Sequence, residues 1–254
     1  MTSTSTGPPG PLIWTLPEPS PRPVTSLSRT AILRAALSIA DVEGTEALTM
    51  RRISTKLGSS TPMSLYRYVG SKDGVIDLML DAVYGEVELP ERPSGDWRTD
   101  LESLARRTWA VIRGHLWFAE LVHTRPLFGP NALRYFDFRF AALEPLGLGS
   151  DGMSRVTAAV DGHLIGSALQ LVEENRMRRR TGLATEKQLK TAAEPLLAPI
   201  AEAGEYPAFS RWSRGLTGTD HTAFDLANDN VEWTLGCLLD GIAAKLSPQP
   251  GNQP

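Results

Sequence analysis

The stretch from Thr49 to Lys72, TMRRISTKL, GSS, TPMSLYRYV and GSK, leaves this chain the fewest choices. It predicts two short helices with a tight glycine-containing turn between them. Thr49 can accept the orphan N–H groups of the first helix, and Gly58 tolerates the left-handed backbone that ends it. Ile53 and Leu57, four apart, then share an inner face. In the second helix Thr61 is the expected cap and Pro62 the first helical residue, because proline has no N–H to leave unsatisfied there. Leu65 and Val69 face inward beneath it. Thr61, Met63, Ser64, Tyr66, Arg67 and Tyr68 are left wholly or partly outside. They form a mixture of hydroxyl, methyl-contacting and cationic groups suited to base edges and phosphates. The expectation is a DNA-reading helix-turn-helix.

The surrounding segments extend the pattern. A helix ending in DVEGTEALTM, then RRISTKLG, SLYRYV and GSKDGVIDLML, resembles the tetracycline-repressor (TetR) family of transcriptional regulators over residues 28 to 88. The remainder resembles it less specifically, through an all-helical pattern. The resemblance implies an all-α chain: an N-terminal three-helix helix-turn-helix head, joined by a fourth helix to a larger helical ligand-binding and dimerisation body. It implies a homodimer that represses transcription from a pseudo-palindromic site on double-stranded DNA and is released by a small-molecule effector. A ligand-responsive activator is the alternative; an architectural DNA-binding protein or an enzyme fits less well. The turn before SLYRYV is one residue longer than is usual in that family, so Ser60 and Thr61 both remain open as the cap. The expected DNA-contacting residues are Thr49, Arg51, Thr61, Pro62, Met63, Ser64, Tyr66, Arg67, Tyr68 and Lys72. Arg51 and Arg67 are suited to phosphate or guanine, Ser64 and Tyr66 to phosphate, Thr61 and Met63 to base edges. Lys72 either touches a phosphate or is simply solvated.

Charge supports a local rather than a general affinity for nucleic acid. The whole chain carries a formal −3, which argues against a protein that coats DNA. From Arg29 to Lys72, however, seven bases face three acids, and from Asp73 to Glu91 six acids face no base. The single cysteine, Cys237, excludes an intrachain disulfide, and no Cys/His set has zinc-ligand spacing. Neither a metal nor a cofactor is expected. No leader or apolar run long enough to span a bilayer is visible, so the expected location is the cytoplasm, with no membrane partner.

Residues 1–27 read as a flexible proline-rich arm, in which Leu12, Ile13 and Trp14 are apolar enough to dock on the folded part. Ser28 is expected to cap a helix running to Gly44, with Ile32, Leu33, Ala36, Leu37 and Ala40 on one face. Ser71 is expected to cap a fourth helix, apolar over more than one face and therefore packed against two things. LPERPSGD at 89–96 is a turn-rich break, giving a head over 28–88, a body over 89–247 and a disordered tail over 248–254.

Within the body a helix over 97–115 and a further one with Leu133, Phe136, Phe140 and Leu143 on one side are expected. Such aromatic stripes are either core or, as the family resemblance implies, the lining of an apolar effector pocket. The pocket candidates are Leu104, Thr108, Val111, His115, Phe136, Phe140 and Gln170. GLGSDG at 147–152 matches a dinucleotide-binding pattern by letter, but a helix leads into it where that chemistry needs a strand, so it is read as a loop. The helix over 152–179 and the last helix, over 221–246, carry apolar stripes and small residues. Val156, Ala159, Val160, Gly162 and Gly166, with Leu235, Leu238, Leu239 and Ile242, are expected to form a four-helix dimer interface. RMRRR at 176–180 suits a solvated helix C-terminus. Residues 186–203 read as a helix interrupted by Pro195 and Pro199, and 204–221 as loose chain. The four histidines are scattered and form no catalytic group.

Overall fold

The computed structural model describes residues 12–19, 27–58, 61–215 and 220–246, and all regular structure among them is helical. The helices are α1 (Arg29–Glu43), α2 (Met50–Lys56), α3 (Met63–Val69), α4 (Lys72–Glu86), α5 (Trp97–Gly114), α6 (Trp117–Leu121), α7 (Pro130–Leu143), α8 (Gly149–Thr181), α9 (Glu186–Ala203), α10 (Pro207–Gly215) and α11 (Ala223–Leu246). The chain divides into two compact units, 1–155 and 156–254. The expectations for the rest of the arm, for Ser60 and for the tail lie outside the described residues.

In the first unit the expected caps are in place. The hydroxyls of Ser28, Thr49 and Ser71 accept from the N–H groups of Ala31, Arg52 and Gly74. The inner face of α1 is Ile32, Ala35, Ala36, Ile39 and Ala40, with Leu33 and Leu37 only half-buried. Of Leu12, Ile13 and Trp14, expected to dock, Ile13 is buried and the other two are half-buried, with Ile13–Thr15 forming a 3-10 turn. Helix α4 is the hub of this unit. It packs against α1, α3, the Ile13 turn, α5, α6 and α7, which is why Val75, Ile76, Met79, Leu80, Val83 and Tyr84, spread around its circumference, are all buried.

The acids along α4 fasten this packing. Arg125 donates to Asp77 at 2.8 and 3.0 Å and to Asp73 at 2.8 Å. Asp81 accepts from the N–H groups of Asn131 and Ala132 and from Asn131 Nδ2, each at 2.9 Å. A side chain of α4 thereby caps α7 from outside, satisfying donors that α7's own Gly129 and Pro130 cannot. A Cβ at Gly129 would lie 2.1 Å from Asp81 Oδ1, so glycine is required there. The stripe expected on α7 is corrected in part: Leu143 is buried and Phe136 half-buried, but Leu133 and Phe140 are exposed, while Tyr135, Phe138, Arg139 and Ala142 are buried. Helix α7 packs against α4 and α5, and the buried positions 135, 138, 139 and 142 follow each other at helical spacing on one face.

In the second unit α9 begins with a capping box, Thr185 with Gln188, and runs unbroken through Pro195 and Pro199. The expected interruption does not occur. Since α9 has no buried residue, carbonyls deprived of a partner by the prolines are open to water and cost little. Residues 207–215, expected to be loose, form α10; its amphipathic spacing is short and begins at a proline, which suits a first helical turn.

Candidate nucleic-acid interface

The face of α3 is set by what lies beneath it. Leu65, Tyr68 and Val69 are buried at 0%, 3% and 1% exposure, so a seven-residue helix too short to persist alone is fixed from one side. Its opposite face presents Met63, exposed by 74%, with Tyr66 and Arg67 one turn on. Met63 and Arg67 are four apart and Tyr66 lies between them, so the three form one patch. Tyr68, expected to be at least partly outside, is corrected to a core residue. Its position three after Leu65 puts its ring on the inner face.

The start of α3 also differs from expectation. The helix begins at Met63, Pro62 lies just outside it, and no side chain caps it. Thr61 contributes its backbone carbonyl, which accepts the Ser64 hydroxyl at 2.7 Å, and its side chain is exposed. Ser64 is half-buried and already engaged there. Thr49, Arg51, Arg67 and Lys72 are exposed, Thr49 with its hydroxyl committed to the cap of α2.

The seven bases counted along this region divide by role. Arg52 is held by Glu43 through Nε and Nη2 at 2.8 to 3.3 Å, and the hydrogen bond from Arg52 lowers the pKa of Glu43. Arg29 is spent on backbone carbonyls. Arg34, Arg51, Lys56, Arg67 and Lys72 are exposed and, among the described residues, make no ion pair.

Behind the head, a polar clasp ties α1 to the chain after α5. His115 Nδ1 lies 2.7 Å from Asp41 and Nε2 lies 3.0 Å from Glu86. Trp117 Nε1 donates to the same Asp41 oxygen at 2.6 Å, and the Thr45 hydroxyl to Glu120 at 2.6 Å. Burial by itself would lower the pKa of His115; the hydrogen bonds and charges of Asp41 and Glu86 outweigh it and hold that pKa above the ordinary value. His115, expected in an effector pocket, is therefore corrected to a clasp residue with both ring nitrogens occupied.

The other pocket candidates are dispersed. Thr108 is buried, hydrogen-bonded to the Leu104 carbonyl and the Tyr135 hydroxyl. Val111 and Phe136 are half-buried and Phe140 is exposed. Tyr84, Phe118, Tyr135 and Phe136 pack edge-on or tilted against one another, and the Arg139 guanidinium lies 5.1 to 5.6 Å from the rings of Tyr135, Phe136 and Phe140. Leu104 borders a cavity of about 20 Å³ in the first unit. Gln170 borders one of about 120 Å³ in the second, with Ser167, Glu174 and Asn230.

Residues 89–246 match the family model described as the tetracyclin repressor-like C-terminal domain. The chain belongs to the TetR family. Two curated relatives of this TetR protein are regulators. The HTH-type transcriptional repressor DrrR1 of Streptomyces coeruleorubidus is 34% identical over 244 residues, covering 94% of this chain and 86% of the relative. An HTH-type transcriptional regulator of Saccharopolyspora erythraea is 38% identical over 210 residues, covering 82% of this chain and 86% of that one. Among solved structures, the TetR family protein ActR of Streptomyces coelicolor in complex with (S)-DNPA superposes with a TM-score of 0.66 at 25% identity, covering 86% of this chain and 98% of ActR. The all-α fold and a role in transcriptional regulation follow.

The interface expected for a TetR dimer is partly core. Val156, Val160, Leu235 and Leu239 are buried at 7%, 6%, 1% and 0% exposure within the single chain, because the apolar stripe of each helix is used up by the chain's own packing. Ala159, Leu238 and Ile242 are half-buried. In the second unit α8 and α11 are joined by His163 Nε2, 3.0 Å from the Thr234 hydroxyl and 3.3 Å from the Val231 carbonyl. What remains outside is Ala158, Gly162, Gly166 and Leu169 along α8, and Trp233, Cys237 and Gly241 along α11. Among the described residues, a Cβ at Gly162, Gly166 or Gly241 would meet nothing within 4 Å. Trp233, exposed by 72%, was missed in the sequence because it lies off the apolar stripe that drew attention.

Proposed function

We propose that this TetR protein is a homodimeric repressor that reads a pseudo-palindromic operator with α3 and releases it on binding a small molecule in the body. The single observation that carries the reading is the exposed Met63–Tyr66–Arg67 patch, held from beneath by buried Leu65, Tyr68 and Val69 and accompanied by the exposed cations Arg51, Lys56 and Lys72. Arg67 and Met63 face base edges, and Arg51, Tyr66 and Lys72 face phosphates. The functional division is a head over 28–88 and a body over 89–247. A dimer places its two recognition helices one turn of B-DNA apart, about 34 to 36 Å. The chain acts in the cytoplasm; among the described residues no helix is long and apolar enough to cross a membrane.

Release is a matter of geometry. Helix α4 is fastened at Asp73, Asp77 and Asp81 to the α6–α7 segment, and α1 is fastened through Asp41 to His115 and Trp117. A displacement of α5–α7 therefore moves the head. An effector shifts the equilibrium by its differential affinity for the two arrangements. Support for a small-molecule effector comes from the TetR family protein ActR, solved in complex with (S)-DNPA. The test is a release assay on an operator duplex: a small-molecule effector lowers operator affinity while sedimentation shows the dimer intact. Retention of the operator at every saturating effector concentration would sink the ligand-release reading.

A further inference from the structure

The end of α3 rests against a segment to which operator reading gives no role. In Leu12–Pro19 the Thr15 hydroxyl donates to the Leu12 carbonyl at 2.8 Å, closing a turn that buries Ile13 to 1% exposure. Ile13 Cβ lies 3.6 Å from where a Cβ at Gly74 would stand, and Leu16 Cδ1 lies 2.9 Å from the corresponding point at Gly70. These glycines flank the joint between α3 and α4. Gly70, at φ +69°, ends α3, and the N–H of Gly74 is the group that Ser71 caps.

Arg29 closes the arrangement. Its Nη2 donates to the Leu16 carbonyl at 2.7 Å and to the Pro17 carbonyl at 3.4 Å, its Nε donates to the Tyr68 carbonyl at 2.9 Å, and its backbone N–H donates to Glu18 at 3.1 Å. One guanidinium thus joins the first turn of α1, the last turn of α3 and the N-terminal segment. A flexible arm would neither bury an isoleucine nor draw a cation of the basic head away from solvent.

We propose that Leu12–Pro19 is a strap that positions the recognition helix, with Ile13, Leu16 and Arg29 as its positioning residues. The proposal rests on α3 being the base-reading helix. Helix α3 has seven residues and no side-chain cap at its start, so its angle depends on what holds its far end. Without the strap, Arg29 keeps one of its three carbonyl acceptors, and Gly70 and Gly74 lose the neighbouring side chains of Leu16 and Ile13. Base reading requires side chains in register and suffers; phosphate attraction depends on charge count and does not.

The test uses the full chain, with affinities for a selected operator and for a scrambled duplex measured at one salt concentration. Ile13→Ala combined with Leu16→Ala leaves the charge unchanged. It is expected to weaken operator binding about tenfold, the scale set by losing the burial of such side chains, with scrambled-duplex binding altered less than about twofold. Ile13→Val recovers most of the loss. Hydrogen exchange quickens at Val69, Gly70 and Ser71 while sedimentation still shows the dimer. Unchanged operator affinity overturns the strap. So does an equal loss on both duplexes with faster exchange throughout α1 and α2, which marks a general stabiliser of the head. A wild-type chain that does not distinguish operator from scrambled duplex overturns the base-reading role of α3, and the strap with it; a selective wild type with equally selective variants overturns the strap alone.

Discussion

The head and the α8–α11 pair advertise their partners in opposite ways. In the head each short helix is held on its inner side, by Ile32, Ile39, Ile53, Leu65 and Val69 at 0 to 1% exposure, and what faces water includes the cations Arg34, Arg51, Lys56 and Arg67. In the second unit two long helices leave Gly162, Gly166 and Gly241 facing open space and Trp233 in water. Glycine within an exposed helix costs about 1 kcal/mol relative to alanine and gains nothing without a close neighbour. The head offers charge to the DNA that we propose it reads; the second unit offers open room beside its glycines to the second copy that we propose it packs against.

The largest expected effect falls on the head. Arg67→Ala together with Tyr66→Ala should cost operator binding more than about a hundredfold, because a good hydrogen bond to a base or phosphate contributes about 1 to 3 kcal/mol. Fluorescence anisotropy measures it, and circular dichroism should show unchanged helicity. Gly162→Leu with Gly166→Leu should follow. Among the described residues no atom lies within 4 Å of a Cβ added at either position, so monomer helicity should hold or rise, while dimer dissociation by sedimentation worsens more than about thirtyfold as packed helices are forced apart. If that pair left the dimer untouched, the contrast between the two regions would break.

Asp81→Ala removes the external cap of α7 and orphans the buried N–H groups of Asn131 and Ala132, so a loss of about 2 kcal/mol in denaturant unfolding is expected. Arg51→Ala against Arg52→Ala sharpens the reading of the basic face. Arg51 is free for phosphate and should reduce the salt slope of DNA binding by about one, whereas Arg52, held by Glu43, should change it far less.

The smallest effect concerns the clasp. The pKa of His115 is raised in the folded chain, so its contribution is fully present below the unfolded histidine value of about 6.5 and fades as pH rises through the folded one. The stability difference between wild type and His115→Gln should therefore shrink from pH 6 to pH 9, by less than about 1 kcal/mol for a partly solvated ion pair. A difference that grew with pH would contradict the clasp.

Local chemistry was the legible part. Ser28, Thr49 and Ser71 sit immediately before apolar runs, and each caps the helix it announces. The breadth of apolar residues around α4 foretold a helix packed on several sides. Pairings between distant segments were not legible. Nothing near Asp81 in the sequence says that it caps a helix fifty residues on, and nothing near Arg29 says that its acceptors are the carbonyls of Leu16 and Tyr68. Periodicity also misled where the buried face of a helix lay beside the most apolar stripe, as at Phe140, and where a ring at the edge of a stripe found room inside, as at Tyr68. The stripe expected at the dimer interface was legible as apolar but not as partly occupied by the chain's own packing, as at Val160 and Leu239.

The most direct test of the central claim is selection of bound sequences from random duplex DNA by the purified protein at near-physiological salt, where nonspecific binding is suppressed. A dimer reading DNA with α3 predicts a pseudo-palindrome whose half-sites are one helical turn apart, lost in the Arg67→Ala, Tyr66→Ala protein. Recovery of no preferred sequence, or of one that this variant selects equally well, would contradict it.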